Sequence, residues 1–270
     1  MNSFWKGKKV LITGINGFIG GNLAKKLNTL GAEIFGLVRN KKPETFISYE
    51  KFLSKVTLID GDLINKDLLA RIISEEQINS VFHLAAQVEI GVGLKNPFLT
   101  FESNIKGTYS LLEAIRLFPD TVESVVIASS DKSYGSYKID QMPYKEDYPL
   151  KPIYPYDVSK ACADMIARSY TCEIYNLPIV VTRFSNIYGP GQLNFSAIMP
   201  DAIRSALGYS NFIPRGNGSQ IRDYIFVEDV VDLYLLISEE LSKNPELYRG
   251  EIYNAGTNNP ISVRKVIETI

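Results

Sequence analysis

Two short stretches carry side chains that could move protons in concert: Ser129-Ser130-Asp131-Lys132 and, downstream, Tyr156-Asp157-Val158-Ser159-Lys160. Tyr156 and Lys160 are spaced to share one face of a helix. A cation at about 4 Å, in an effective dielectric of about 20, favours a phenolate by roughly 4 kcal/mol. That would bring a phenol that ordinarily titrates near pH ~10 toward the range of a general base at neutral pH. Ser130 can hydrogen-bond the same substrate hydroxyl. Asp131 and Lys132 add an acid and an amine beside it, a pair that alcohol oxidation does not need and elimination of water does. Taken alone, Tyr-x-x-x-Lys also describes a chance pair on a helix surface. Asp131-Lys132 also reads as a surface turn with a local ion pair.

The elements that must position these groups alternate along the chain. Strands are expected at 9–13, 32–38, 56–60, 81–84, 122–128 and 179–182. Helices are expected at 17–30, stopped by Gly31, at 65–76, capped by Asn65, at 97–117, and from Tyr156 onward. Near-continuous apolar strands separated by helices imply an α/β fold, a doubly wound parallel sheet of the Rossmann type covered on both faces. After Arg183 the texture changes to frequent turn signals, such as Gly189-Pro190-Gly191 and Arg215-Gly216-Asn217-Gly218. Helices remain at 198–207 and 228–241. The division expected is a dinucleotide-binding domain at 1–182 and a smaller substrate-binding lobe at 183–270, some of whose segments return to the sheet. The last helix, capped by Ser262, stops abruptly, as a truncated or naturally short lobe would.

Gly14-Ile15-Asn16-Gly17-Phe18-Ile19-Gly20 lies between the first strand and the first helix. There Gly14 can make the tight turn, Gly17 lets the backbone approach a pyrophosphate, and Gly20 permits close helix packing. The helix N-terminus supplies free N–H groups and partial positive charge. An acid at the end of the second strand would bind the ribose of NAD. The residues there are Val38-Arg39-Asn40. Arg39 can take the 2′-phosphate of NADP or stack on adenine, so NAD or NADP is expected, with a slight lean to NADP. Asp62, after the third strand, is placed to contact adenine, and equally to lead a helix turn.

Composition bounds the rest. The 270 residues are 45% hydrophobic and 22% charged, ordinary for a globular protein. A net charge of −1 gives no footprint for nucleic acid. No apolar run approaches the ~20 residues of a membrane span. The N-terminus has no leader-like apolar region, so a cytoplasmic protein is expected. Cys162 and Cys172, both read as lying on the Tyr156 helix, would be ~15 Å apart along it, too far for a disulfide. One histidine, His83, makes no metal cluster and reads as a packed imidazole.

Nearly the whole chain resembles the extended short-chain dehydrogenase/reductase family, in its nucleotide-sugar dehydratase/epimerase branch. The resemblance rests on Gly14-x-x-Gly17-Phe18-Ile19-Gly20, Asp62-Leu63, His83-Leu84-Ala85-Ala86-Gln87, Asn104, Ser130, Tyr156-x-x-x-Lys160, Arg183 to Pro190 and Arg222-Asp223-Tyr224. Asp131-Lys132, the Phe4-to-Val10 opening, Ala86-Gln87 and Asn194-Phe195-Ser196 are most similar to the CDP-glucose 4,6-dehydratases. Arg39 looks more like the NADP-type dehydratases acting on GDP-mannose.

The resemblance implies that Leu63, Leu84, Ala85, Ala86, Gln87 and Asn104 join the cofactor site. It implies that Ser130 positions the sugar C4 hydroxyl and Tyr156 removes its proton. Lys160 would lower the tyrosine pKa and hold the nicotinamide ribose. We assign Asp131 to protonate the departing C6 hydroxyl and Lys132 to remove the C5 proton. Lys160 and partial burial would favour a neutral Lys132; the Asp131 carboxylate opposes it. Asn186 and Arg222 would hold the diphosphate, with Asn194 and Arg215 as nucleotide contacts or simply polar loop residues. Arg183 fits a supporting role as well as a binding one, and Arg116 reads as a helix-terminal cation. The long helix would form a homodimer interface, as in many relatives, or bury against the sheet. The function implied is an NAD(P)-dependent nucleotide-sugar 4,6-dehydratase, the alternatives being a 4-epimerase and a dinucleotide-binding protein without turnover.

Overall fold

The computed structural model describes residues 4–39, 45–214 and 216–270. Its strands, in chain order, are β1 (Lys9–Thr13), β2 (Glu33–Val38), β3 (Val56–Asp60), β4 (Ser80–His83), β5 (Ser124–Ala128) and β6 (Ile179–Phe184). There follow β7 (Asn186–Tyr188), β8 (Ile221–Arg222), β9 (Tyr224–Phe226), β10 (Ile252–Ala255) and β11 (Ile261–Ser262). Seven of them form one sheet in the order β10-β6-β5-β4-β1-β2-β3. Every pairing in it is parallel.

The strands are apolar on both sides because both sides are covered. Val10 and Ile12 pack into one core with Leu27, Phe82, Val126 and Tyr234. Leu11, between them, packs into the other with Val81, Leu111, Val125 and Ile179. Alternate residues of one strand thus feed opposite faces. Asn65 caps the Lys66–Glu75 helix, its Oδ1 accepting from Leu68 N at 3.1 Å. Gly31 ends the Phe18–Thr29 helix with φ at 80°.

Three local features differ from expectation. The long helix is interrupted: α-helix at Pro97–Phe101, a π-helical turn at Glu102–Lys106, then α-helix at Gly107–Arg116. A short helix, Ile90–Lys95, precedes it. Cys172 lies beyond the end of the Pro155–Ser169 helix, not on it, because that helix closes at Tyr170.

The chain after residue 183 does not stay apart from the sheet. β10 pairs with β6, and the Val227–Lys243 helix buries Val230, Val231, Tyr234 and Leu235 in the first core. What projects is the β7–β9 pair, the β8–β11 pair and the Ile198–Ala206 helix. Among the described residues, no helix is long and apolar enough to cross a membrane, and no His/Cys/Asp/Glu group could hold a metal.

Candidate active site

The sheet order turns back on itself between β1 and β4, where parallel sheets open a crevice beyond their carboxyl ends. The loop after β1 and the loop after β4 close on each other there. Gly14 has φ at 80°, and a Cβ on it would sit 2.8 Å from Ala85 N. A Cβ on Gly20 would run into the Gly14 carbonyl, so the helix can approach the strand only without one. Gly17 is the N-cap of the Phe18–Thr29 helix and no side chain caps it. The first-turn N–H groups are left for an anion.

The crevice, about 490 Å³, is lined by Gly14, Asn16, Gly17, Phe18, Ile19, Gly20, Arg39, Asp62, Leu63, Leu84, Ala85, Ala86 and Gln87. Leu37, Val38, Gly61, Val88, Ser103 and Gln192 complete it without having been foreseen, and Asn194 lines it too. Asp62 also leads the following turn, its Oδ1 accepting from Ile64 N at 3.2 Å. A glycine-bounded cleft with an uncapped helix terminus and an arginine at its rim fits a dinucleotide.

Beside this crevice, Asn104 is buried and fully engaged. Its Nδ2 donates to Ser159 Oγ at 2.8 Å and to Gln87 O at 3.1 Å, and its Oδ1 accepts from Gln87 N at 2.7 Å. Ser159 Oγ in turn donates to Tyr156 O at 2.7 Å. The π-turn presents Asn104 to this network, which ties the loop after β4 to the helix carrying Tyr156. His83 lies below it. Nδ1 meets Thr13 Oγ1 at 2.8 Å and Nε2 meets Thr108 Oγ1 at 2.9 Å. Burial, then Lys160, drives its pKa down to about 3, so it is a neutral, packed imidazole.

The proton-moving groups meet at the end of β5. The Ser130 hydroxyl accepts from Lys132 N and donates to Asp131 Oδ1, each at 3.2 Å. Lys132 Nζ grips both Asp131 oxygens, at 3.0 and 2.8 Å. Tyr156 opens the Pro155–Ser169 helix, which packs against the 131–134 turn. Lys160 lies one turn further on, buried, with Nζ donating to Ala128 O at 2.5 Å.

The electrostatics here correct an expectation. Burial pushes the Tyr156 phenol well above its ordinary value. A hydrogen bond between Ser130 and Tyr156 opposes this, and the carboxylates of Asp131 and Asp157 add to it. Lys160 was expected to pull the phenol down, but its ammonium is committed to the Ala128 carbonyl and is itself desolvated to about 8, with Asp164 opposing. Spacing places the two groups one helical turn apart; it could not show that burial raises the phenol.

Toward the projecting lobe, Asn186 Nδ2 donates to Asp223 O at 3.0 Å. Arg222 is exposed and borders a second cavity, about 310 Å³, with Ser196, Asp201, Phe212 and Gln220. Arg215 lies outside the described residues. Tyr144 OH donates to Gly135 O at 2.8 Å; burial raises its phenol, Asp131 raises it further, and Arg222 opposes both. Arg183 is not at the site's surface. It is clamped on Asp164, Nε to Oδ2 at 2.7 Å and Nη2 to Oδ1 at 3.1 Å, with Nη1 on Tyr134 OH at 2.9 Å. Arg116 pairs with Glu113 at 2.8 Å, as a helix-terminal cation would. Asp157, Asp164, Tyr134, Tyr144 and Ser159 escaped the sequence reading. Only Asp157 and Ser159, inside the Tyr156-to-Lys160 stretch, carried a positional signal.

Comparison with known proteins gives a consistent result. The family model described as GDP-mannose 4,6 dehydratase matches residues 11–270. A trifunctional UDP-glucose 4,6-dehydratase/3,5-epimerase/reductase of Arabidopsis thaliana is 29% identical over 98% of this chain, which spans only 39% of that protein. CDP-paratose 2-epimerase of Salmonella typhi is 31% identical over 92% of the chain and 78% of the relative. Among solved structures, a Bacillus anthracis dTDP-glucose 4,6-dehydratase in complex with NAD superposes with a TM-score of 0.84. It is 28% identical, over 97% of this chain and 79% of its own.

Proposed function

The chain belongs to the GDP-mannose 4,6 dehydratase family, within the extended short-chain dehydrogenases/reductases, and we propose that it is a nucleotide-sugar 4,6-dehydratase. It would convert an NDP-hexose, CDP-glucose in the first instance, to the NDP-4-keto-6-deoxyhexose. The observation carrying this reading is the Asp131–Lys132 pair, hydrogen-bonded together at 2.8 Å beside Ser130.

The Gly14-to-Gly20 loop, Arg39 and Asp62 would hold NAD(P) in the crevice, where it would supply a hydride acceptor for C4, a hydride donor for C6, and ring charge that favours the phenolate. The chain's residues do the rest. Ser130 orients the C4 hydroxyl and Tyr156 takes its proton. The resulting ketone acidifies C5–H. Lys132 can remove that proton only as a neutral amine, and Asp131 can protonate the C6 oxygen only as a carboxylic acid. One proton passing along their shared hydrogen bond, from Lys132 Nζ to Asp131 Oδ2, prepares both at once. Elimination then moves the C5 proton to Lys132 and the Asp131 proton to the C6 oxygen, which leaves as water as C5=C6 forms. The ion pair seen here is regenerated, and hydride return to C6 would then be matched by a proton from Lys132 to C5, with the proton held by Tyr156 restoring the Lys132 ammonium.

Arg39 at the crevice rim, with no acid at the end of β2, supports NADP slightly over NAD, although the Bacillus anthracis structure holds NAD. Asn186 and Arg222 are proposed for the diphosphate, with Asn194 and Arg215 near the nucleotide. A homodimer is proposed through the long helix, whose exposed apolar positions include Leu99, Phe101, Tyr109 and Phe98, the last 72% exposed.

Incubation with CDP-glucose, dTDP-glucose, UDP-glucose and GDP-mannose, each with NAD and with NADP, should give a product lighter by one water in mass spectrometry. A product of unchanged mass inverted at C4 would overturn the reading in favour of an epimerase. No conversion despite bound dinucleotide would favour a binding protein without turnover.

A further inference from the structure

We propose that Tyr134 is a positioning residue for the elimination step: its hydroxyl ties the turn that carries Asp131 and Lys132 to the helix that carries Tyr156 and Lys160. This rests on the dehydratase reading above. Tyr134 closes the 131–134 turn and is 0% exposed. Its hydroxyl accepts from Arg183 Nη1 at 2.9 Å and donates to Asn254 Oδ1, on β10, at 2.8 Å. Arg183 is clamped in turn on Asp164. Tyr156, Lys160 and Asp164 follow one another at four-residue spacing on the Pro155–Ser169 helix, so they share a face. Phenol, guanidinium and carboxylate thus make one chain of direct contacts between the two halves of the site. The ring is held as well. It stacks on Tyr144 with centroids 4.7 Å apart, and Tyr144 OH donates to Gly135 O, next to Tyr134, at 2.8 Å.

Which step depends on this tie follows from how each reacting group is otherwise held. Ser129 N donates to Thr182 O at 2.8 Å, continuing the β5–β6 pairing, so the sheet registers Ser130. Tyr156 and Lys160 are placed by a helix of 15 residues. Asp131 and Lys132 lie past the pairing, with partly exposed side chains, on a 3₁₀ turn of 4 residues. Such a turn has poorer internal hydrogen bonds than an α-helix and relies on outside contacts to hold its shape. Removing the Tyr134 hydroxyl leaves Arg183 its Asp164 carboxylate and the Glu146 carbonyl, so the buried ion pair survives while the turn is loosened. The loss falls on the step that uses Asp131 and Lys132, not on the oxidation that uses Ser130 and Tyr156.

The test is Tyr134→Phe in the full chain, which keeps the ring and removes the hydroxyl. In single turnovers with the NDP-hexose that wild type accepts, reduced nicotinamide should form at the wild-type rate and decay about tenfold more slowly, as expected for reacting groups displaced by less than about 1 Å. In a Lys132→Ala background the same substitution should slow product formation by about twofold or less, because the proton transfer it positions is already lost. A role confined to stability would slow formation and decay of the transient alike, and would keep its full effect in both backgrounds. Asn254→Ala, which removes the acceptor of the same hydroxyl, should shift the decay in the same direction, and it carries the test if Tyr134→Phe does not fold. Unchanged decay, equal slowing of formation and decay, a raised KM alone, or a full tenfold loss in the Lys132→Ala background would overturn the role of Tyr134 while leaving the dehydratase reading intact. Absence of any dehydrated product from wild type would overturn that reading, and with it a role in elimination.

Discussion

Two carboxylate–cation pairs sit on neighbouring elements of this molecule and have opposite fates. Arg183 and Asp164 are 1% and 0% exposed, joined by two parallel hydrogen bonds, and held further by Tyr134 and the Glu146 carbonyl. The guanidinium also lies 4.8 Å from the Tyr134 ring centroid. Lys132 and Asp131 are 33% and 21% exposed, and besides Lys132 the Asp131 carboxylate accepts from the Ser130 hydroxyl. The first pair uses an arginine, whose forked guanidinium stays charged and matches a carboxylate at two points. The second uses a lysine, which can give up its proton. The pair that holds the fold is desolvated and over-coordinated; the pair proposed to exchange a proton is partly exposed and has fewer partners.

The sharpest way to break this contrast is Asp164→Asn. It strands a buried guanidinium and should cost about 3–5 kcal/mol in a urea melt. The double variant Asp164→Asn/Arg183→Met should recover much of that loss, and a single-variant loss below about 1 kcal/mol would contradict the buried assignment. Lys132→Ala should act the other way round. Stability should move by less than about 1 kcal/mol, while product formation falls by about 10²–10⁴-fold. Reduced nicotinamide should accumulate, because the first oxidation survives; undiminished product formation would remove Lys132 from the chemistry.

A smaller effect tests the buried side without mutation. His83, held near 3 by burial against an ordinary 6.5, stays neutral in the fold while the unfolded chain takes up a proton first. Its contribution is complete above pH 6.5 and is lost as pH falls toward 3. The expected weakening is about 2 kcal/mol between pH 6.5 and 5, read from urea midpoints against a His83→Asn variant that should lack this dependence.

Much of the site was legible because it is local. Ser130 to Lys132 directly follows a strand, Tyr156 and Lys160 are one helical turn apart, and the Gly14-to-Gly20 loop joins a strand to a helix. Each is a short-range pattern. The parallel sheet was legible from apolar strands alternating with helices. What stayed hidden depends on long-range placement. The acceptor of Lys160 is a backbone carbonyl on β5, which no side-chain pattern marks. The π-turn that presents Asn104 shifts hydrogen bonding by one residue without altering composition. β10 is four residues long and joins the sheet only by pairing with β6. The height of the Tyr156 phenol depends on burial, which spacing cannot report.

The pairing of Phe184 with Ala255 brings together the two connections to the outer part of the molecule. The chain leaves the sheet after β6 and again after β10 from adjacent points, with Ser185 N donating to Ala255 O at 2.9 Å. Just outside, Asp223 receives the backbone N–H groups of Thr257 and Asn258, at 3.2 and 3.0 Å. Two cords thus depart side by side and are knotted together at once. Arg222, the residue preceding Asp223, is thereby anchored to both connections at the sheet edge.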